Sequence, residues 1–309
     1  MKFLTIDLGG TKALFLLWEG ENILRQASIP SVEAFPLPEA IRRFLGQDTI
    51  EAAALAMAGP IEQGFCRLIN LNRVVDCQTI RAAFPHIRWV FHNDLAAAAA
   101  APLLLPQTKQ YILQTGEKQA GHIGVLAVGT GFGEGMMLKP APGKALGQLL
   151  PGEGGHGDLC PATEEEWQLC RLLQQEYTHA SWERALSGVG LTWIYRALGG
   201  QNPACLQNPA AITVQGKTAP LCQKAIHTFL GLLGAEAGNL ALRGLTTGGI
   251  YLSGGVLLHL LPFVAESPLY SRFLAKGRYR AYLENIPLTI LAAEETVGYG
   301  SAAILLYGE

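Results

Sequence analysis

Short apolar runs closed by glycine alternate with segments in which apolar residues return every three or four positions, a pattern that predicts strands interleaved with helices. KFLTID and ALFLLW read as strands joined by the turn GGTK, and ILRQASI reads as a third strand, so the chain opens as a β-meander. Pro38 to Leu45 predicts a short helix, Ala52 to Ala58 a buried strand ending at Gly59-Pro60, and Arg88 to His92 a strand running into Asn93-Asp94. The following LAAAAAA has the strongest helix propensity in the chain and stops at Pro102. Asn93 and Asp94 therefore sit at a strand end and a helix start.

Tyr111 to Thr115 and Ile123 to Val128 predict two further strands, the second leading into GTGFGEG and a second glycine-turn hairpin. The recurrence suggests a duplicated plan. Thr163 followed by Glu164, Glu165 and Glu166 is a capping-box start, after which Trp167, Cys170, Leu173 and Tyr177 recur at helical spacing. A long helix is predicted from about Pro220 to Leu242, with Gly231, Gly234 and Gly238 on neighbouring turns where another backbone can approach. IYLSGG is a strand entering a diglycine turn. No low-complexity linker and no tandem period is present, so a compact α/β chain is expected.

With 309 residues a single core is near its practical limit, so two lobes with a cleft between them are expected. Lys and Arg number 23 against 25 Asp and Glu, a net charge of −2, which provides no field for nucleic acid or an anionic membrane. A small-molecule partner fits better. MKFLTIDLGG interrupts any signal-peptide core, and the apolar run Leu95 to Leu105 is too short for a bilayer and contains Pro102, so a cytoplasmic enzyme is expected. Cys66, Cys77, Cys160, Cys170, Cys205 and Cys222 form no CxxC pair, which points to reduced, mostly buried thiols.

Three glycine turns at strand ends carry phosphate chemistry: Asp7 to Lys12, with Gly9, Gly10 and Thr11; Gly129-Thr130-Gly131; and Ser253-Gly254-Gly255. The first alone also reads as an ordinary hairpin turn, and it has neither Walker nor dinucleotide spacing. Together they offer donors to phosphates and a flat patch for a base, which suggests ATP, with Asp7 able to face a cation. Asp94 is the carboxylate suited to accept the proton of an attacking hydroxyl, and it is equally a good N-cap. Glu153 and His156, in the glycine-rich PGEGGHG, suit the hydroxyls of a polyol, the alternative being a flexible surface loop. Glu183 reads as a further hydroxyl acceptor or as a first-turn helix acid. His156 and Cys160 lack the further ligands a metal site needs. His86, His92, His122, His179, His227 and His259 show no usable spacing and read as surface or packing residues.

DLGGTK, HNDLAAAAA, GTGFGEG, PGEGGHGD, SWERALSGVGL, SGG and KGRYRAYLENIP, in that order over nearly the whole chain, resemble the bacterial glucokinase family. The resemblance implies an α/β actin-like ATPase (ribonuclease H-like) fold, two lobes around a central cleft, with a small lobe of 1–104 plus 294–309 and a large lobe of 105–293. It implies transfer of the γ-phosphoryl group of ATP, with Mg2+, to the 6-hydroxyl of glucose. Asp94 would be the base, and Asn93, Glu153, His156 and Glu183 would hold the sugar. Gly9, Gly10, Thr11, Gly129, Thr130 and Gly131 would surround the phosphates, Gly254 and Gly255 would lie near the adenosine, and Asp7 would face magnesium through water. No metal site of the protein's own is implied, and a homodimer is usual.

The chain departs from the family pattern at Ile69-Asn70-Leu71-Asn72-Arg73, where a TN-x-x-W segment is expected, and at Leu95-Ala96, where an aromatic residue and a threonine are usual. Two other readings are a ROK-type hexose kinase or repressor and a non-catalytic sugar sensor. The chain has no CxCGxxGC motif and no helix-turn-helix before DLGGTK, which argues against the ROK reading, the second against a repressor in particular. Asp94 argues against a pure sensor.

Overall fold

The computed structural model describes residues 1–68, 71–117 and 119–308, so the departure at Ile69-Asn70 lies outside the described residues. The chain divides into two compact units, one formed by Met1–Lys109, Met136–Pro151 and Glu294–Glu309, the other by Gln110–Gly135 and Gly152–Ala293.

The first unit carries strands β1 (Lys2–Leu8), β2 (Lys12–Glu19), β3 (Asn22–Pro30), β4 (Ala52–Met57), the short β5 (Ile61–Glu62), β6 (Phe65–Leu68) and β7 (Arg73–Asp76), and β8 (Arg88–Asn93). Five of them make a sheet of order β3-β2-β1-β4-β8, in which β1 runs antiparallel to β2 and parallel to β4, and β4 parallel to β8. Every residue of β4 is buried, as expected of a parallel strand covered on both faces. On one face Leu55 and Met57 join the core cluster that takes in helix Leu37–Leu45. On the other, Ala56 meets Ala97 and Ala100 of helix Asp94–Ala100 and Ala303 of helix Thr296–Tyr307. Small side chains let these backbones approach closely: a Cβ on Gly300 would lie 2.5 Å from the Ala97 carbonyl carbon.

Met136–Pro151 groups with this unit, whereas the sequence places it in the large lobe. Leu138 N–H donates to Gln148 O at 2.8 Å, closing the segment, and Leu146 and Leu149 pack on the alanine cluster. That burial is a long-range contact that no local pattern announces.

The second sheet contains β9 (Gln110–Gln114), β10 (Ile123–Val128), β11 (Phe132–Met137), β12 (Leu149–Gly152), β13 (Gly249–Ser253) and β14 (Leu288–Leu291), in the order β12-β11-β10-β13-β14-β9. Strands β10, β13 and β14 are parallel, and β9 closes the edge antiparallel to β14. In each sheet the first strand of a glycine-turn hairpin lies between its hairpin partner and a later parallel strand, the duplicated plan the two glycine turns suggest. Trp167 is exposed, contrary to its place in the predicted apolar stripe, because helix Glu164–Tyr177 turns Glu166 inward instead. Glu166 pairs with Arg272 at 3.1 Å and accepts from Ala162 N–H at 2.7 Å, while Thr163 caps the helix. All six cysteines are free thiols, and only Cys160 is exposed.

Helix Pro220–Gly244 presents its glycines to the segment Pro268–Leu274. A Cβ on Gly234 would lie 2.8 Å from the Leu269 carbonyl carbon, whereas the nearest atom to one on Gly231 is a Pro268 ring carbon at 3.1 Å. Gly234→Ala is therefore expected to cost about 1–3 kcal/mol, the range for overpacking a core, and Gly231→Ala distinctly less. Urea denaturation of the two variants checks this.

Candidate active site

In the first unit, β1 ends in Asp7-Leu8 and turns back through Gly9, Gly10 and Thr11. Gly9 N–H donates to Lys12 O at 3.1 Å, Ser31 Oγ donates to Gly9 O at 2.7 Å and Ser31 N–H donates to Thr11 O at 3.0 Å, so the turn is braced from β3's end. The Lys12 ammonium donates to Glu294 Oε2 at 2.7 Å, which directs it to the C-terminal segment. Asp7 is half-buried, and its carboxyl is pushed up to about 7, chiefly by burial, then by the Asp94 carboxylate beside it, with Lys12 opposing.

Asn93, not Asp94, is the N-cap of helix Asp94–Ala100, which corrects the capping role open to Asp94 in the sequence. Asn93 has extended backbone, and its Oδ1 accepts from Leu95 N–H at 2.9 Å and Ala96 N–H at 3.2 Å. Its Nδ2 donates to Gly59 O at 3.3 Å. Asp94 is the first helical residue and accepts from Leu95 N–H through Oδ1 at 2.8 Å, so its carboxylate is fixed at the positive helix mouth.

In the second unit, Glu183 stands in the short helix Trp182–Ala185, capped by Ser181, and its Oε2 accepts from Phe132 N–H at 3.2 Å. The loop after β12 carries Glu153 and His156. The imidazole lies between two carboxylates, Nε2 at 3.8 Å from Glu153 Oε2 and Nδ1 at 4.0 Å from Glu183 Oε1. These separations exceed hydrogen-bond length, so the three groups converge without satisfying one another. Glu153 and His156 are solvent-exposed, Glu183 half-buried.

The glycine turns of this unit lie side by side at the carboxyl ends of β10 and β13. Gly129 N–H donates to Gly131 O at 2.8 Å, and Gly188 N–H donates to Gly129 O at 3.2 Å. Gly254 has φ +106°, and a Cβ there would lie 2.6 Å from the Val128 backbone. Only glycine fits that approach. Gly254 caps helix Gly255–Val264, and Ser187 caps helix Gly188–Ala197 by accepting from Gly190 N–H at 3.1 Å, so two helix starts face the same region. The start at Ser187-Gly188 is a feature that motif reasoning leaves unassigned, although S-G-x-G before an apolar run signals it. The structure thus brings Asp7, Gly9, Gly10, Thr11, Asn93 and Asp94 together in one unit, and Gly129 to Gly131, Glu153, His156, Glu183, Gly254 and Gly255 into the other.

Among the described residues no helix is long and apolar enough to cross a membrane. A protein-family profile described as glucokinase matches residues 4–307. A glucokinase of Nitrobacter hamburgensis is 37% identical over 300 residues, covering 94% of this chain and 92% of the relative. The crystal structure of a glucokinase from an Antarctic psychrotroph superposes with a TM-score of 0.85 at 29% identity, over 99% of this chain and 98% of that one. A ROK family glucokinase from Streptomyces griseus, in complex with glucose and AMPPNP, shares the fold with a TM-score of 0.70 at 18% identity, over 98% of each chain.

Burial makes the ionised form of Asp7 unfavourable, so the protein loses stability as pH rises from about 4, where an unfolded aspartate titrates, to about 7. Asp7→Asn removes that loss: its melting temperature relative to wild type is expected to rise between those pH values and level off above them. Calorimetry at a series of pH values checks this, and parallel profiles would contradict it.

Proposed function

The chain belongs to the glucokinase family, and from that premise we propose that it transfers the γ-phosphoryl group of MgATP to the 6-hydroxyl of glucose, giving glucose 6-phosphate and ADP. The observation that carries the reading is the convergence of Glu153, His156 and Glu183 at separations of 3.8 and 4.0 Å, too long to bond one another and spaced for hydroxyls. Acceptors on the carboxylates and a ring nitrogen match the alternating donors and acceptors of a hexose, and Asn93 adds an amide. Asp94, fixed by the helix it begins, accepts the proton as the hydroxyl attacks in line.

Gly9, Gly10 and Thr11, and likewise Gly129, Thr130 and Gly131, would offer backbone and hydroxyl donors to a nucleotide's phosphates. Gly254 and Gly255 leave a surface without side chains for the adenosine. Adjacent carboxyls at Asp7 and Asp94, one held partly protonated, fit a divalent cation, and Asp7 would face Mg2+ through water. The metal would neutralise charge developing on the phosphates; orientation of the hydroxyl and removal of its proton fall to the protein's residues. The protein acts in the cytoplasm as a homodimer, following its family.

Asp94→Asn is expected to lower the turnover number by about 10² to 10⁴, the usual contribution of a positioned base, with the KM for ATP little changed. Glucose-dependent ADP release by the two proteins, measured beside mannose, glucosamine and fructose, checks this. Near-normal turnover of the variant would remove Asp94 from the base role.

A further inference from the structure

Beneath the Glu153–His156 loop lies a pair of buried carboxyls, with a partly exposed arginine, that this chemistry does not use. Glu134 on β11 and Glu236 on helix Pro220–Gly244 are both buried. A single guanidinium serves them: Arg243 Nη2 donates to Glu134 Oε2 at 3.0 Å and also bonds Glu236 Oε1. Glu236 Oε2 accepts from Asn239 Nδ2 at 2.7 Å, and Asn239 Oδ1 accepts from Lys276 Nζ at 2.6 Å. Glu134 Oε1 has no hydrogen-bond partner among the described residues. One shared cation does not compensate two buried carboxylates, so one carboxyl stays neutral. Burial first, and then contact with Glu236, pushes Glu134 up to about 8 against the pull of Arg243.

The other neighbour of Glu134 is the loop itself. A Cβ on Gly154 would lie 2.8 Å from Glu134 Cδ, one on Gly152 3.3 Å from Glu134 O, and one on Gly155 3.0 Å from the Phe132 carbonyl carbon. The loop therefore lies flat on β11, with the Glu134 carboxyl directly under Gly154 and no side chain between. Phe132 N–H, two residues earlier on the same strand, holds Glu183. Strands β10 and β12, which flank β11, bring no charged side chain. The charges facing Glu134 are Glu236 and Arg243, with Lys276 behind Asn239, on the helix side; on the loop side it meets Gly154, in the loop that carries the exposed Glu153 and His156.

We propose that Glu134 is a positioning residue for the hexose: its neutral carboxyl seats the loop that carries Glu153 and His156, and its ionisation unseats the loop and weakens hexose binding. This rests on Glu153 and His156 being hexose contacts. A second carboxylate against Glu236 would have one oxygen unpaired, and the cheapest relief is to lift the loop and admit water, since the loop is bound to β11 by contact rather than by side-chain bonds.

The test compares wild type with Glu134→Gln, which keeps size and neutrality, between about pH 6.5 and 9.5. Two quantities are followed: exchange protection of the His156 and Gly157 amides in the sugar-free protein, which donate to Glu153 O at 3.0 Å and Gly154 O at 2.9 Å, and glucose KM against kcat. In wild type, protection is expected to fall and KM to rise by about fivefold or more with a midpoint near pH 8, while kcat changes less. Glu134→Gln is expected to match wild type at neutral pH and stay flat in both quantities. A KM rise of the same midpoint in Glu134→Gln, or wild-type protection indifferent to pH, would overturn the proposal. The wild-type exchange profile alone decides even if the variant fails to fold. Because it contains no sugar, it also separates this proposal from the kinase reading, which fails if wild type neither binds nor phosphorylates glucose.

Discussion

Parallel registration is the constraint from which the candidate residues of each unit follow. Pairing of β1 with β4 and of β4 with β8 sets Leu8 opposite Met57 and Met57 opposite Asn93, so the three strands finish in one row. Asp7 and Asp94, each one position from that row, emerge at the same sheet end. Two carboxyls meet there because the sheet leaves them no other place, and Asp7 is shifted upward by its burial first and by Asp94 second. The second sheet repeats the arrangement, with Ala127 opposite Ser253, and so brings the glycine turns after β10 and β13 together. Carboxyl strand ends also receive the starts of the following helices, whose free N–H groups attract anions. Asn93 after β8 and Gly254 after β13 cap two such helices.

Backbone proximity takes the place of side chains over much of this chemistry. Gly254 lets β13's turn touch Val128, Gly300 lets the C-terminal helix reach Ala97, and Gly154 and Gly155 let the loop settle on β11. Each contact trades chain entropy for an approach that any Cβ would prevent. The side chains that remain polar in these places are then few and individually placed, as sugar recognition requires.

The hairpins and the helix start after Asn93 were legible because glycine and the alanine run punctuate the chain locally. The cap was less so: Asn93 and Asp94 are both cap-competent, and only the length of β8 decides which has the extended backbone a cap needs. Trp167 misleads because a periodicity marks a face without saying which way the helix turns it, and the Glu166–Arg272 ion pair settles that from 106 positions away. Met136–Pro151 joins the first unit through contacts with a helix that ends the chain. Glu134, Glu236 and Arg243 are single charges scattered over the sequence, and no spacing rule connects them. The candidate sugar and phosphate residues stood out because glycine density marks turns and the flanking Asp, Glu and His are chemically apt. Their mutual distances required the fold.

The central claim is the proposal that glucose is phosphorylated on one particular oxygen, its 6-hydroxyl. The most direct measurement is phosphorus–proton correlation NMR of the product formed from glucose and MgATP by the wild-type protein. The account predicts one phosphomonoester, carried on the oxygen of carbon 6. Phosphate on another carbon, or inorganic phosphate as the sole product, would contradict it.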